Sequence, residues 1–241
     1  MSTNSLIIEA TDPTGSPISN AKIYVKGGYK KYTNTTNTTY YYDTLSPSDT
    51  RPTTDSNGLA TLTSLVPGNY LFCGDLGATN CQIGATTYYL AAAVPYGGSN
   101  AFNPITVPPS GGSTPTYDHD GDAYLQKVRL ILTTSSLFPR VQTLTPDDLS
   151  LSSASASNFA FTISGSNLPC SNNAASCATV VKFTSGANIV TASCTGNTTS
   201  ASFLSCNANL STLAVGMAEL TVQANGYTLA IPGSTLLGGI N

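Results

Sequence analysis

Three carboxylates and the chain's single histidine crowd one short stretch, Asp118-His119-Asp120-Gly121-Asp122. Like charges so close together repel unless a cation sits among them, and hard cations take oxygen ligands from flexible, glycine-containing loops. Calcium is therefore the ion this stretch would hold, on Asp118, Asp120 and Asp122, with a plain exposed turn as the alternative. The spacing is not that of an EF-hand, because the glycine comes too early and no glutamate closes the cage. Any Ser-His-Asp or Cys-His arrangement would have to use His119. No nucleophile-elbow motif accompanies it, and a solvated loop histidine accounts for it. Asp147 and Asp148 follow Pro146 in a turn and read as a cap or solvated loop rather than as the acid and base of a hydrolase. No catalytic residue is assigned, no cofactor other than calcium is expected, and the chain reads as a non-enzyme.

Cysteine carries the other chemistry. The six fall as local pairs, Cys73 with Cys81, Cys170 with Cys177, and Cys194 with Cys206. Sequence alone does not fix the connectivity of six cysteines. A zinc site is the competing reading, but it wants shorter Cys-x-x-Cys spacing or accompanying histidines, and only one histidine exists. Disulfides are favoured, and they imply an oxidising location.

Composition narrows the partners. Of 241 residues only 9% are charged, with 9 basic and 12 acidic side chains and a net charge of −3, far below the usual quarter of a globular chain. A nucleic-acid binder needs a basic stripe to displace counterions. The nearest candidate, Lys22, Lys26, Lys30 and Lys31, reads as strand and loop charges, so no nucleic acid is expected. No apolar run is long enough to insert in a membrane, and "MSTNSLIIEA" lacks the basic start and apolar stretch of a secretory signal. Either a signal was removed and a Met added, or the native chain starts at Met1, which would suit a virion protein. Asn34, Asn37, Asn197 and Asn209 open N-x-S/T acceptors; in so Thr-rich a chain chance explains most of them.

Aromatic residues are unevenly spread. Every tyrosine except Tyr227 lies in the first part of the chain. Tyr40, Tyr41 and Tyr42, and Tyr88 with Tyr89, are adjacent, so in a strand they cannot all face the core. Exposed Tyr suits sugar stacking or a protein interface; the absence of Trp favours the interface, with a glycan as the other possible ligand.

The elements that would position these residues are strands. "NAKIYVKG" alternates, with Ala21, Ile23 and Val25 on one side and Lys22, Tyr24 and Lys26 on the other. "GLATLTSL" and "FAFTISGSNL" alternate too, Phe159, Phe161 and Ile163 opposing Ala160, Thr162 and Ser164. "AYLQKVRLIL" supplies Leu125, Val128, Leu130 and Leu132. Turn clusters such as "DPTGSP", "SGSN" and "ANG" separate the runs, and no segment keeps a 3.6-residue period. Residues 28–52 and 97–117 read as long loops or β-excursions, where binding usually sits on a rigid sandwich. A junction near 134–140 divides the chain into 1–137 and 138–241, giving an all-β fold of two tandem immunoglobulin-like or transthyretin-like β-sandwiches.

Two stretches of the first half, "IEATDPTGSPISNAKIYV" and "TTDSNGLATLTSLVPGNYLF", resemble the carboxypeptidase regulatory-like or collagen-adhesin B-type domain. Asp12, Gly15, Pro17, Ala21, Asp55, Gly58, Leu65, Pro67, Gly68 and Tyr70 stand at the family's places. The resemblance implies a seven-stranded, transthyretin-like sandwich and a non-catalytic spacer. It also raises an internal Lys–Asn isopeptide bond known in some members, with Lys22 and Glu9 as local candidates; the alternation leaves Lys22 as an exposed strand lysine instead. The second half resembles an IPT/TIG immunoglobulin-like domain, through "FPRVQTLTPDD", "FTISGSNL", "VVKF" and "AELTVQANG", and departs from it in the insertion "PCSNNAASC". Such domains are spacers or interaction modules.

These readings point to a non-catalytic structural protein of an extracellular surface assembly, such as a filament, appendage or adhesin subunit. Self-association through sheet edges or termini is expected. "SLIIEA" and above all residues 233–241 are candidates for strands donated to a neighbouring subunit. The rival readings are a virion structural protein of capsid or tail and an accessory glycan-binding module.

Overall fold

Strand-forming runs punctuated by Gly, Asn and Asp turns leave the chain little choice but sheets. The computed structural model describes residues 4–29, 32, 33, 39, 40, 52–65, 68–73, 80–95, 105–107, 126–145, 156–171, 173, 176–197, 200–213 and 216–237. No α-helix occurs among them. The chain divides into two compact units, Met1–Thr134 and Ser135–Asn241, and each is a β-sandwich.

In the first unit the strands are β1 (Asn4–Thr11), β2 (Val25–Tyr29), β3 (Tyr32–Thr33), β4 (Thr39–Tyr40), β5 (Leu59–Leu65), β6 (Gly68–Phe72), β7 (Cys81–Ile83), β8 (Thr86–Pro95), β9 (Ile105–Val107) and β10 (Gln126–Thr133). One sheet runs β5-β1-β10-β8-β7, a second runs β2-β6-β9, and β3-β4 form a small ladder of their own. β1 lies antiparallel to β5 and parallel to β10, in register from Leu6 opposite Gln126 to Thr11 opposite Ile131. Alternation then aims Leu6, Ile8 and Ala10 at the core with Val128, Leu130 and Leu132, and Ala60 and Leu62 of β5 join them against Phe72 of β6. Leu6, Ile8, Leu130 and Leu132 are fully buried, each worth about 1.5–3 kcal/mol relative to exposure. "SLIIEA" thus completes its own sandwich. With ten strands among the described residues, this unit exceeds the seven that the resemblance implies. Residues 97–117, read as loop or excursion, contribute β9 to the second sheet, and residues 28–52 contribute β3 and β4.

Two details depart from simple alternation. β8 is buried continuously from Leu90 to Val94. A bulge between the pairs Leu132–Leu90 and Ile131–Ala92 inserts Ala91, so Leu90 and Ala93 both face the core while Ala92 and Val94 are buried on the other face. "NAKIYVKG" is not one strand: β2 begins only at Val25, and Lys22 ahead of it bridges both Thr53 and Gln82. Lys22 is exposed, as the alternation requires, but Tyr24 on the same side is buried. Its backbone is held between two cysteines, accepting from Cys73 N–H at 2.9 Å and donating to Cys81 Sγ at 3.2 Å.

The two Asp-Gly clusters build one loop twice. Asp12 Oδ1 accepts from the N–H groups of Thr14 (2.8 Å) and Ser16 (2.9 Å), and Gly15 N–H donates to Asp12 O at 3.0 Å. Asp55 Oδ1 accepts from Asn57 N–H and Leu59 N–H, both at 2.8 Å, and Gly58 N–H donates to Asp55 O at 3.1 Å. The fourth position needs positive φ, 87° at Gly15 and 74° at Gly58, which glycine takes without strain. Between the loops lies Thr54, 2% exposed. Its hydroxyl donates to Ile18 O at 2.7 Å and accepts from Ala21 N–H at 2.8 Å. Thr54→Val keeps the shape and leaves both backbone groups buried without that partner. We expect it to cost about 2 kcal/mol by urea denaturation, with Thr54→Ser near wild type; equal losses for Val and Ser would remove the hydroxyl's role.

Partial burial opposes ionisation of Asp12, but hydrogen bonds from the Thr14 hydroxyl and from the Ser16, Thr14 and Gly15 backbone outweigh it and hold the carboxyl below its ordinary 3.8. A carboxyl depressed in the folded state adds stability above its unfolded value and loses it as pH falls through the folded one. Wild type should therefore lose stability below about pH 4 more steeply than Asp12→Asn. Parallel urea midpoints for the two proteins from pH 6 to 3 would contradict this.

The second unit has β11 (Arg140–Thr145), β12 (Phe159–Ser166), β13 (Val180–Ser185), β14 (Asn188–Thr191), β15 (Ser193–Asn197), β16 (Ser200–Ala208), β17 (Gly216–Ala224) and β18 (Tyr227–Leu237). They form two four-stranded sheets, β11-β12-β16-β15 and β14-β13-β17-β18. β12 alternates as its sequence dictates, with Phe159, Phe161 and Ile163 buried. Phe161 meets Phe183 of the facing sheet edge-on, ring centroids 5.2 Å apart, in the geometry aromatic quadrupoles prefer. Val181, Leu220, Val222, Leu229 and Ile231 fill the same layer. At Ala192 the chain passes from β14 in one sheet to β15 in the other.

The C-terminal segment does not behave as a free tail. β18 continues past Pro232 to Leu237 and pairs with β17 up to Gly216. A register shift between the Leu220–Ile231 and Ala218–Thr235 pairs sets Pro232 in a bulge, where its missing N–H costs no ladder bond. Residues 233–237 therefore complete their own sheet, and 238–241 lie outside the described residues.

Candidate functional site

The six cysteines form three disulfides, Cys73–Cys81, Cys170–Cys177 and Cys194–Cys206. Cys73 follows β6 and Cys81 opens β7, so that bond joins the two sheets of the first unit. Cys194 and Cys206 are directly opposite on β15 and β16, with Cα atoms 4.1 Å apart. The Cys170–Cys177 bond closes the insertion that departs from the IPT/TIG pattern. That loop lies along β15: Gly196 N–H donates to Ser171 O at 2.8 Å, and a Cβ at Gly196 would come 2.6 Å from Cys170 Cβ.

Asp118, His119, Asp120 and Asp122 lie outside the described residues, as do Asp147, Asp148, Tyr41 and Tyr42. Among the described residues no three of His, Cys, Asp and Glu group as metal ligands, and no helix is long and apolar enough to cross a membrane. Tyr40 is in β4, opposite Tyr32. Tyr88 and Tyr89 point to opposite faces of β8, both half-buried. Tyr88 packs against the core, and Tyr89 stands opposite Thr133.

Sequence reasoning linked Glu9 to Lys22. The parallel register instead puts Glu9 opposite Arg129, and its Oε2 is 3.1 Å from Arg129 Nε and 3.2 Å from Lys127 Nζ. Charged residues at alternate places in two apolar strands, Glu9 in one and Lys127 and Arg129 in the other, were the available signal. Lys22 Nζ lies 5.9 Å from the Tyr24 ring centroid. Two asparagines in the left-handed region were also unforeseen. Asn167 (φ 58°) and Asn225 (φ 55°) hold the start of the second unit. Asn167 Nδ2 donates to Ser136 O and Phe138 O, each at 2.8 Å, and Asn225 Nδ2 donates to Leu137 O at 3.2 Å. "SGSN" and "ANG" marked them only as turns.

The large apolar residues exposed on the described surface are Leu137, Ile189, Phe203 and Tyr227. Phe203 stands on the outer face of β16 opposite Ser164, and Ile189 stands on the edge strand β14.

No family model matches the chain, and no curated protein matches its sequence. Among solved structures it is similar to BcpA, the major pilin subunit of Bacillus cereus, at 11% identity over 98% of this chain and 69% of that one, with a TM-score of 0.27. A variant of the same pilin gives 12% identity over 98% and 70%, TM-score 0.27. Domains 4 and 5 of the S-layer protein SbsC give 13% identity over 92% and 100%, TM-score 0.21. At such identities and scores the fold class rests on the two sheet pairs described above: an all-β chain of two tandem sandwiches.

Proposed function

We propose that the chain is a non-catalytic structural subunit of an extracellular or cell-surface assembly, a filament, appendage or adhesin. On this reading the first unit is a carboxypeptidase regulatory-like or collagen-adhesin B-type sandwich and the second an IPT/TIG-like one. The observation that carries the reading is what the motif residues are used for. Asp12 and Asp55 close loops, Gly58 lets β1 pass, Thr54 satisfies a buried crossing, and Asn167 secures a chain segment. All six cysteines are in disulfides, bonds that persist in oxidising compartments. With 9% charged residues, few charges are left to keep sheet edges apart. The test is negative-stain imaging and light scattering of the oxidised protein across concentrations. Ordered polymers, or mass rising with concentration, are expected; a monodisperse monomer throughout would defeat the reading.

A further inference from the structure

The outer N–H and C=O groups of an edge strand are free to pair, and proteins usually guard them. The edges here are guarded unequally. At β7, Gln82 exchanges backbone bonds of 2.8 and 3.2 Å with Lys22. The Cys170–Cys177 loop lies on β15. Pro139 precedes β11, which opens with the charged Arg140. Pro232 interrupts β18, whose Tyr227 ring rests 5.2 Å from Phe138. β5 exposes only Thr61 and Thr63 of its described side chains. β14 is guarded by its shortness alone, and among the described residues it shows none of the other devices. Asn188-Ile189-Val190-Thr191 carries neither charge nor proline, and Ile189 is 63% exposed, the most of any large apolar residue described.

The register of β14 says what fits it. A two-residue turn, Gly186 (φ 59°) and Ala187, joins it to β13, with Ser185 opposite Asn188. Hydrogen-bonded and non-hydrogen-bonded pairs then alternate, so Asn188 and Val190 bond to β13 while Ile189 and Thr191 aim their N–H and C=O outward. We propose that β14 pairs antiparallel with β14 of a second copy, about a two-fold axis at Val190. In that register Ile189 of each copy exchanges both backbone bonds with Thr191 of the other, and Val190 stands opposite itself. Every outward group finds a partner. The side chains meet as Ile–Thr pairs, both β-branched and suited to a pleated strand, and no charge is buried, as it would be under a charged foreign strand. This contact rests on the self-assembly reading above and names one joint of it. Its two short strands bury far less than the roughly 1,000 Å² of a stable isolated interface, so it works as one contact among several.

Val190→Cys tests the register. Opposed non-hydrogen-bonded Cα atoms lie about 4.5 Å apart, within disulfide reach. Copper-catalysed oxidation of the full-length protein should give a disulfide-linked dimer on a non-reducing gel. Ile189→Cys is the control: its own mate is displaced by two residues, about 7 Å along the strand, and should cross-link at least tenfold less. Ile189→Lys, which leaves the core untouched, should raise the concentration at which the protein associates at least tenfold. No dimer from Val190→Cys, equal yields from both cysteine variants, or unchanged association of Ile189→Lys would overturn the pairing. If any of these occurs while wild type assembles, only this joint is wrong. If wild type never assembles, the broader reading falls, and the joint with it.

Discussion

Replacing Cys73 and Cys81 together by alanine will destabilise the first unit by about 4 kcal/mol. The bond spans a sequence separation of 8, and closing so short a loop in the unfolded chain accounts for about 2.5 kcal/mol. The remainder comes from where the bond sits. Both cysteines are buried, at 1% and 0% exposure, and Cys81 Sγ takes the N–H of buried Tyr24, which alanine leaves without an acceptor. The bond also joins sheets that otherwise meet through side chains and the Lys22–Gln82 backbone bridge, so its loss should raise the denaturant slope little and move the midpoint greatly. Urea denaturation of the double variant measures this. A loss under about 1 kcal/mol would mean that the Lys22–Gln82 bridge holds the sheets without help.

Gly58→Ala will cost about 3 kcal/mol, and Gly15→Ala about 1 kcal/mol. The loops are alike and both glycines have positive φ, so the conformational penalty is shared. Their surroundings differ. A Cβ at Gly15 meets nothing within 4 Å, whereas one at Gly58 would lie 2.5 Å from Ala10 O, 3.1 Å from Pro17 Cβ and 3.2 Å from Ile18 N. Those neighbours are backbone or ring atoms of a crossing that also uses Ala10 N–H to Gly58 O at 2.8 Å and Ile18 N–H to Ala10 O at 2.9 Å. They cannot swing aside as a long side chain would. Thermal unfolding of the two variants isolates the crossing, and equal costs would show that β1 yields freely.

Period-2 patterns were legible where one face is buried and the other wet. β12, and β5 from Leu59 to Thr63, follow their sequences, because each lies in a sandwich with one solvated face. β8 hid its bulge because three successive alanines give alternation nothing to register. β9 is three residues long and carries no pattern at all. Local cysteine spacing suggested the disulfides, but not that one of them joins two sheets, since that depends on β6 and β7 belonging to different layers. The edge at β14 could not be read either: "NIVT" is an ordinary strand until the sheet order of the described residues places it at an edge. Thr54 was invisible for a simpler reason, being one threonine among very many. Of the motif residues, Gly15 and Gly58 take left-handed turns, and Gly58 also marks a close approach, both of which few residues other than glycine tolerate.

The parallel pairing of β1 with β10 has a mechanical consequence. β1 is the first strand of its unit and β10 the last, so tension along the chain enters at Asn4 and leaves at Thr133. Parallel neighbours pulled from opposite ends slide past one another, and the aligned pairs from Leu6–Gln126 to Thr11–Ile131 are loaded together in shear. A hairpin pulled at its open end would instead unzip one pair at a time. Beyond β10, Thr134 and Ser135 lead into Ser136, Leu137 and Phe138, whose carbonyls accept hydrogen bonds from Asn167 and Asn225. A unit so connected resists stretching by rupture of a whole ladder rather than by gradual peeling.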